Sequence, residues 1–115
     1  MTQEDLKQEL HKMNENTSLK QLQEYEKQMV ETRGFAQETS SEIMLLLTEE
    51  IGELAKEVRK ISNMKLDTTK QREYHMEEEV ADVFNYLMAI CRVNQIDLLE
   101  AFKKKEEINC NRTWK

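Results

Sequence analysis

Proline is absent from the 115 residues, and glycine occurs only twice, at Gly34 and Gly52. That nearly excludes a β-sandwich or barrel, whose turns call for these residues, along with the glycine-rich phosphate loops of Rossmann or P-loop folds. Long apolar runs are missing too. The longest is Ile43 to Leu47, far below the roughly 20 residues of a membrane span. The start, Met1-Thr2-Gln3-Glu4-Asp5, fits no secretory signal, so a cytoplasmic protein that engages no membrane is expected. Cysteine is scarce: Cys91 and Cys110 are too far apart for a CxxC motif, and His11 and His75 are isolated. A zinc site is therefore disfavoured, and both thiols are expected to be free. Basic residues are outnumbered 17 to 23, for a net charge of −6, and form no block before the C-terminus. A nucleic-acid coat needs the opposite balance, so no nucleic-acid partner is expected.

Charged residues, at 35%, nearly match the 38% that are apolar, so the core must be assembled economically. A chain this short buries only about two-thirds of its unfolded surface, which makes self-association a natural way to bury more. The pattern is helical almost throughout. Leu6, Leu10 and Met13 form a short stripe, and Asn14 to Thr17 break it. Ser18 with Gln21 reads as a capping box opening a second segment that carries Leu19, Leu22, Met29 and Val30, with Gly34 at its end. Thr39 with Glu42 opens a strongly apolar helix over about 40–61. Ser62 to Lys70 reads as a connection, a long helix follows over about 71–93, and Asp97 with Glu100 caps a last one running to about 108. The expected class is all-α, with residues 1–17 as an N-terminal helical extension and 18–115 as the domain. Gly52, inside the third helix, costs roughly 1 kcal/mol relative to alanine, and a closely approaching backbone is the expected compensation.

The carboxylates carry the chemical information. On a wheel of the third helix, Ile43, Leu47, Leu54, Val58 and Ile61 form one stripe, and Glu50 lies about 60° from Leu47, inside or at the rim of the apolar arc. Glu53 sits just beyond that arc, and Glu49 turns about 160° away from Leu47. The fourth helix repeats the arrangement, with Met76, Val80, Val83, Leu87 and Ile90 as stripe, Glu79 between the stripe and Tyr86, and Asp82 at the margin. Each helix thus offers two carboxylates at i, i+3, and antiparallel packing lets the four converge. Such a group repels itself and resists desolvation unless protons or hard divalent cations relieve it. Mg²⁺ or Mn²⁺ suits an all-oxygen set, and no ExxH pair is present for a di-iron site. A merely solvated acidic face reads equally well from the wheel alone.

At these residues the chain resembles the MazG-like nucleoside triphosphate pyrophosphohydrolases of the all-α NTP pyrophosphatase superfamily, which carry EExxE followed by ExxD. The matching strings are Glu49-Glu50-Ile51-Gly52-Glu53-Leu54-Ala55 and Glu79-Val80-Ala81-Asp82-Val83-Phe84-Asn85-Tyr86, in that order. The tail from Lys105 through Asn109 and Arg112 to Trp114 is similar to the family's KxxxNxxRxW ending. The likeness covers roughly residues 30–115 and leaves the first 17 outside it. It implies Glu50, Glu53, Glu79 and Asp82 as metal ligands, and Lys105, Asn109 and Arg112 near the phosphates and sugar. Tyr86 matches a substrate-pocket position, with core packing the alternative. Phe35 lies near a base-stacking position, with core packing favoured there.

The resemblance further implies an antiparallel helical bundle of the MazG-like type, assembled by helix packing between subunits into a dimer or tetramer. A nucleoside triphosphate would be hydrolysed to monophosphate and pyrophosphate with Mg²⁺, Mn²⁺ being a possible substitute. Glu50 must be ionised for this, and Glu49 is a candidate for orienting water. Leu45, opposite the main stripe, suggests that the third helix also meets another subunit. The rival from another class is a catalytically silent helical bundle acting as a binding module. Preferred base and sugar are open.

Overall fold

The computed structural model describes residues 1–62, 65 and 75–114. Among these there are five α-helices and no strand: α1 (Gln3–His11), α2 (Leu19–Arg33), α3 (Ser40–Ile61), α4 (Met76–Val93) and α5 (Leu98–Cys110). None is long and apolar enough to cross a membrane.

Local hydrogen bonding explains where the helices begin. Ser18 Oγ accepts the Gln21 N–H while the Gln21 side chain accepts the Ser18 N–H, and Thr39 and Glu42 do the same for α3. Each pair satisfies two amides that the helix cannot. Thr2 and Asp5 form a third such box at α1, and Asp97 Oδ1 accepts the Glu100 N–H at α5. Gly34 ends α2 with φ 82°, and the Phe35 N–H returns to the Val30 carbonyl at 2.8 Å, a Schellman closure. Gln95 adopts the same left-handed region, φ 52°, after α4, with the Ile96 N–H on the Cys91 carbonyl at 2.8 Å.

The chain divides into two units, Met1–Glu38 with Cys91–Lys115, and Thr39–Ile90. In the first, Leu6, Met29 and Val30 form the core, with Tyr25 and Ala36 packed against it. The short N-terminal helix therefore inserts its one buried residue between the apolar positions of α2. Glu26 is buried beside them and receives Arg92 Nε–H at 3.0 Å. One turn earlier, Gln23 donates to the Ile96 carbonyl and accepts the Leu98 N–H, which ties the start of α5 to α2. Cys91 is a buried free thiol whose pKa is raised by burial and then by Glu26, and Cys110 is free and exposed.

In the second unit Ile43, Leu47, Met88 and Ala89 are buried. The expected stripes continue less far than the wheels suggest: Val58, Ile61, Val80 and Leu87 are exposed in this single chain, together with Met44, Leu45 and Ile51. The expected close approach at Gly52 is not met within this chain: the residue is exposed, and among the described residues a Cβ there would meet nothing within 4 Å. The last helix runs two residues past the expected end. A helical start near 71 and the connection 62–70 fall, apart from Ser62 and Lys65, outside the described residues.

Candidate functional site

The capping box at Thr39 sets the phase of α3, and from there the helical repeat puts Glu50, Glu53 and Glu57 along one side at spacings of three and four. Glu79 and Asp82 stand one turn apart on α4. One carboxylate oxygen from each of Glu50, Glu79 and Asp82 lies within 4.8 Å of the others. Glu50 and Glu79 are half-buried. Burial pushes the Glu50 carboxyl up to about 7, helped by a hydrogen bond with Glu79 and by the negative charges of Asp82, Glu79 and Glu49. Glu79 Oε2 is buried and, among the described residues, has no hydrogen-bond donor. An acceptor sealed from water without a donor costs on the order of 1–3 kcal/mol, and three crowded carboxylates add repulsion.

A divalent cation resolves both problems. The donors are all oxygen, the set that suits Mg²⁺ or Mn²⁺ rather than softer ions, and Glu79 Oε2 has lone pairs to offer. The residues present fit such an ion.

Glu53, the fourth expected ligand, lies outside this trio and accepts Lys56 Nζ–H at 3.3 Å on the surface. Glu49 is exposed, and Tyr86, one turn beyond Asp82, is half-buried. Lys105, Asn109, Arg112 and Phe35 belong to the other unit. Lys105 and Arg112 are exposed, Phe35 is exposed directly after Gly34, and Asn109 is half-buried with its Oδ1 lacking a donor among the described residues. The tail is ordered by Trp114 Nε1–H donating to the Asn109 carbonyl at 3.1 Å, but the Trp114 ring is 72% exposed and caps nothing within its unit.

Sequence reasoning passed over Glu57. It is buried, accepts Lys60 Nζ–H at 2.8 Å and, across 18 residues, the His75 backbone N–H at 2.9 Å. These two bonds, the His75 amide foremost, hold its carboxyl below the usual value. Its spacing of seven from Glu50 was the available signal, since seven residues return to nearly the same face of a helix.

Residues 38–109 match the family model of the MazG nucleotide pyrophosphohydrolase domain. No curated relative matches the chain.

Proposed function

The chain belongs to the MazG nucleotide pyrophosphohydrolase domain family, and from that premise we propose that it hydrolyses ribo- or deoxynucleoside triphosphates to the monophosphate and pyrophosphate in a Mg²⁺-dependent reaction. Nucleotide-pool house-cleaning in the cytoplasm is the accompanying role. The observation that carries this reading is the convergence of Glu50, Glu79 and Asp82, together with a buried Glu79 Oε2 that has no donor among the described residues.

Glu50, Glu79 and Asp82 would hold the cation, with Glu53 joining them once it exchanges Lys56 for the ion. When bound there, such an ion would supply positive charge for the triphosphate and polarisation of its α-phosphorus. Glu49, beside Glu50 but turned to solvent, orients a water and takes its proton as the new O–P bond forms. The bond from the α-phosphorus to the bridging oxygen then breaks and pyrophosphate leaves. Carried over from the family resemblance, Lys105 and Arg112 would offset phosphate charge, Asn109 would hydrogen-bond the nucleotide, and Tyr86 and Phe35 are the further substrate-binding candidates.

Self-association is part of the same proposal. Leu45, 73% exposed, and Ile51, Val58, Ile61, Val80 and Leu87 are apolar side chains left in water in the single chain, which is what a partner subunit would cover. A second copy covering it gives a dimer, and pairing of dimers a tetramer.

A panel of ribo- and deoxynucleoside triphosphates with Mg²⁺ tests the reaction. Monophosphate and pyrophosphate are expected, with turnover lost in Glu50→Gln and Asp82→Asn. Diphosphate and phosphate would point to different chemistry. No turnover of any triphosphate, with no thermal stabilisation by Mg²⁺, would leave a binding module.

A further inference from the structure

The Glu57 carboxylate sits two helical turns beyond Glu50 on α3, and both of its oxygens are engaged. Oε1 takes Lys60 from its own helix. Oε2 takes the His75 N–H, the residue immediately before α4. The same residue's carbonyl accepts the Glu79 N–H at 3.1 Å, so one residue links α3 on its amide side to a metal-ligand candidate on its carbonyl side.

We infer that Glu57 is a positioning residue for the carboxylate trio: by holding the His75 amide it fixes the first turn of α4 against α3, and thereby where Glu79 and Asp82 stand relative to Glu50. This rests on the metal-dependent reading above. The first amides of a helix have no partner within it, and an ionised carboxylate is a strong acceptor for one of them. From His75 the helix is a stiff rod. Glu79 lies one turn on and Asp82 the next, so movement of the first turn carries both ligands with it. Desolvation alone would favour an apolar side chain at position 57. An apolar side chain would fill the space and release His75. An acceptor oxygen at this position is required for the bond.

The test uses the full chain and Mn²⁺ alone, titrated by the paramagnetic resonance of the free ion, beside circular dichroism and steady-state turnover. Glu57→Met keeps the volume and a good helix former but removes the acceptor. It is expected to stay helical, to weaken Mn²⁺ binding about tenfold, and to lower kcat with little change in KM for the nucleotide. Glu57→Gln retains one acceptor oxygen and restores most of the affinity. Lys60→Met leaves the His75 bond in place and binds Mn²⁺ like the unmodified chain. If Glu57→Met does not fold, Glu57→Asp decides the question, because it keeps the charge and shortens the reach; it too should bind more weakly.

Folded Glu57→Met or Glu57→Asp protein with unchanged Mn²⁺ affinity overturns the inference and leaves the enzyme reading standing. So does Glu57→Gln as impaired as Glu57→Met, which would assign the effect to charge. An unmodified chain that takes up Mn²⁺ no better than Glu79→Gln fails the metal reading itself, and the inference with it.

Discussion

Glu26 and Glu50 are carboxylates drawn partly or wholly out of water, one in each unit, and the chain treats them in opposite ways. Glu26 is 1% exposed and receives Arg92 Nε–H on both oxygens, at 3.0 and 3.3 Å. Burial raises its pKa while Arg92 pulls it back. Around Glu50 every influence runs one way: burial, the hydrogen bond with Glu79 and three negative neighbours all favour the proton. A charge that serves the fold is given its countercharge by the same chain. Among the described residues no basic side chain is paired with Glu50, Glu79 or Asp82, and that deficit is what an external cation can fill.

The largest expected effect comes from making the first unit resemble the second. Arg92→Met leaves Glu26 buried and unpaired and should cost about 3 kcal/mol in urea unfolding at pH 7. Glu26→Leu added to it should recover most of the loss. Because an unpaired Glu26 can take up a proton, the penalty of Arg92→Met should shrink as the pH falls through its raised pKa. A penalty independent of pH would place the loss in packing.

Relieving the second unit should have the opposite sign. Glu79→Gln removes one charge from the trio and is expected to stabilise the metal-free protein by about 1 kcal/mol, while Mg²⁺ loses its stabilising effect and turnover falls with it. Thermal melts with EDTA and with excess Mg²⁺ separate the two. Equal destabilisation under both conditions would make the trio structural, like Glu26.

The pH dependence sharpens the contrast. The folded-state pKa of Glu50 is raised from 4.5 to about 7, so the unfolded chain releases that proton first. Metal-free protein should lose stability as the pH rises between those values and level off above. Glu50→Gln should remove this slope, and its advantage in melting temperature should vanish near pH 4.5. Glu57 runs the other way. Its pKa is lowered, so its contribution is present above the ordinary glutamate value and is lost as the pH falls through the folded one.

The smallest effect compares the two left-handed helix ends. Gly34→Ala places a Cβ at φ 82° and should cost about 1 kcal/mol. Gln95→Gly, at φ 52°, should gain up to about that much, less the bond from Gln95 Nε2 to the Val93 carbonyl.

Much of the helical framework was legible in the sequence. The boxes at Ser18 and Thr39 and the stop at Gly34 stand where their residues imply, because each is a contact over a few residues and needs no tertiary partner. The exposure of Glu49 was legible for the same reason, since the wheel turns it about 160° from the buried Leu47 and helical phase is local. Gly52 was not legible: a wheel cannot say whether anything approaches a given face. Nor were the exposures of Val58, Ile61, Val80 and Leu87, which depend on how much surface a neighbour covers.

The sequence by itself determined the all-α class, most helix ends and the two i, i+3 pairs of acids, because these follow from hydrogen bonds and angles within one or two turns. Only the tertiary structure decided that Glu50 meets Glu79 and Asp82, and that Glu57 reaches His75. Residues at nearly equal phase on one helix differ in what faces them, and what faces them comes from a segment 18 or more positions away.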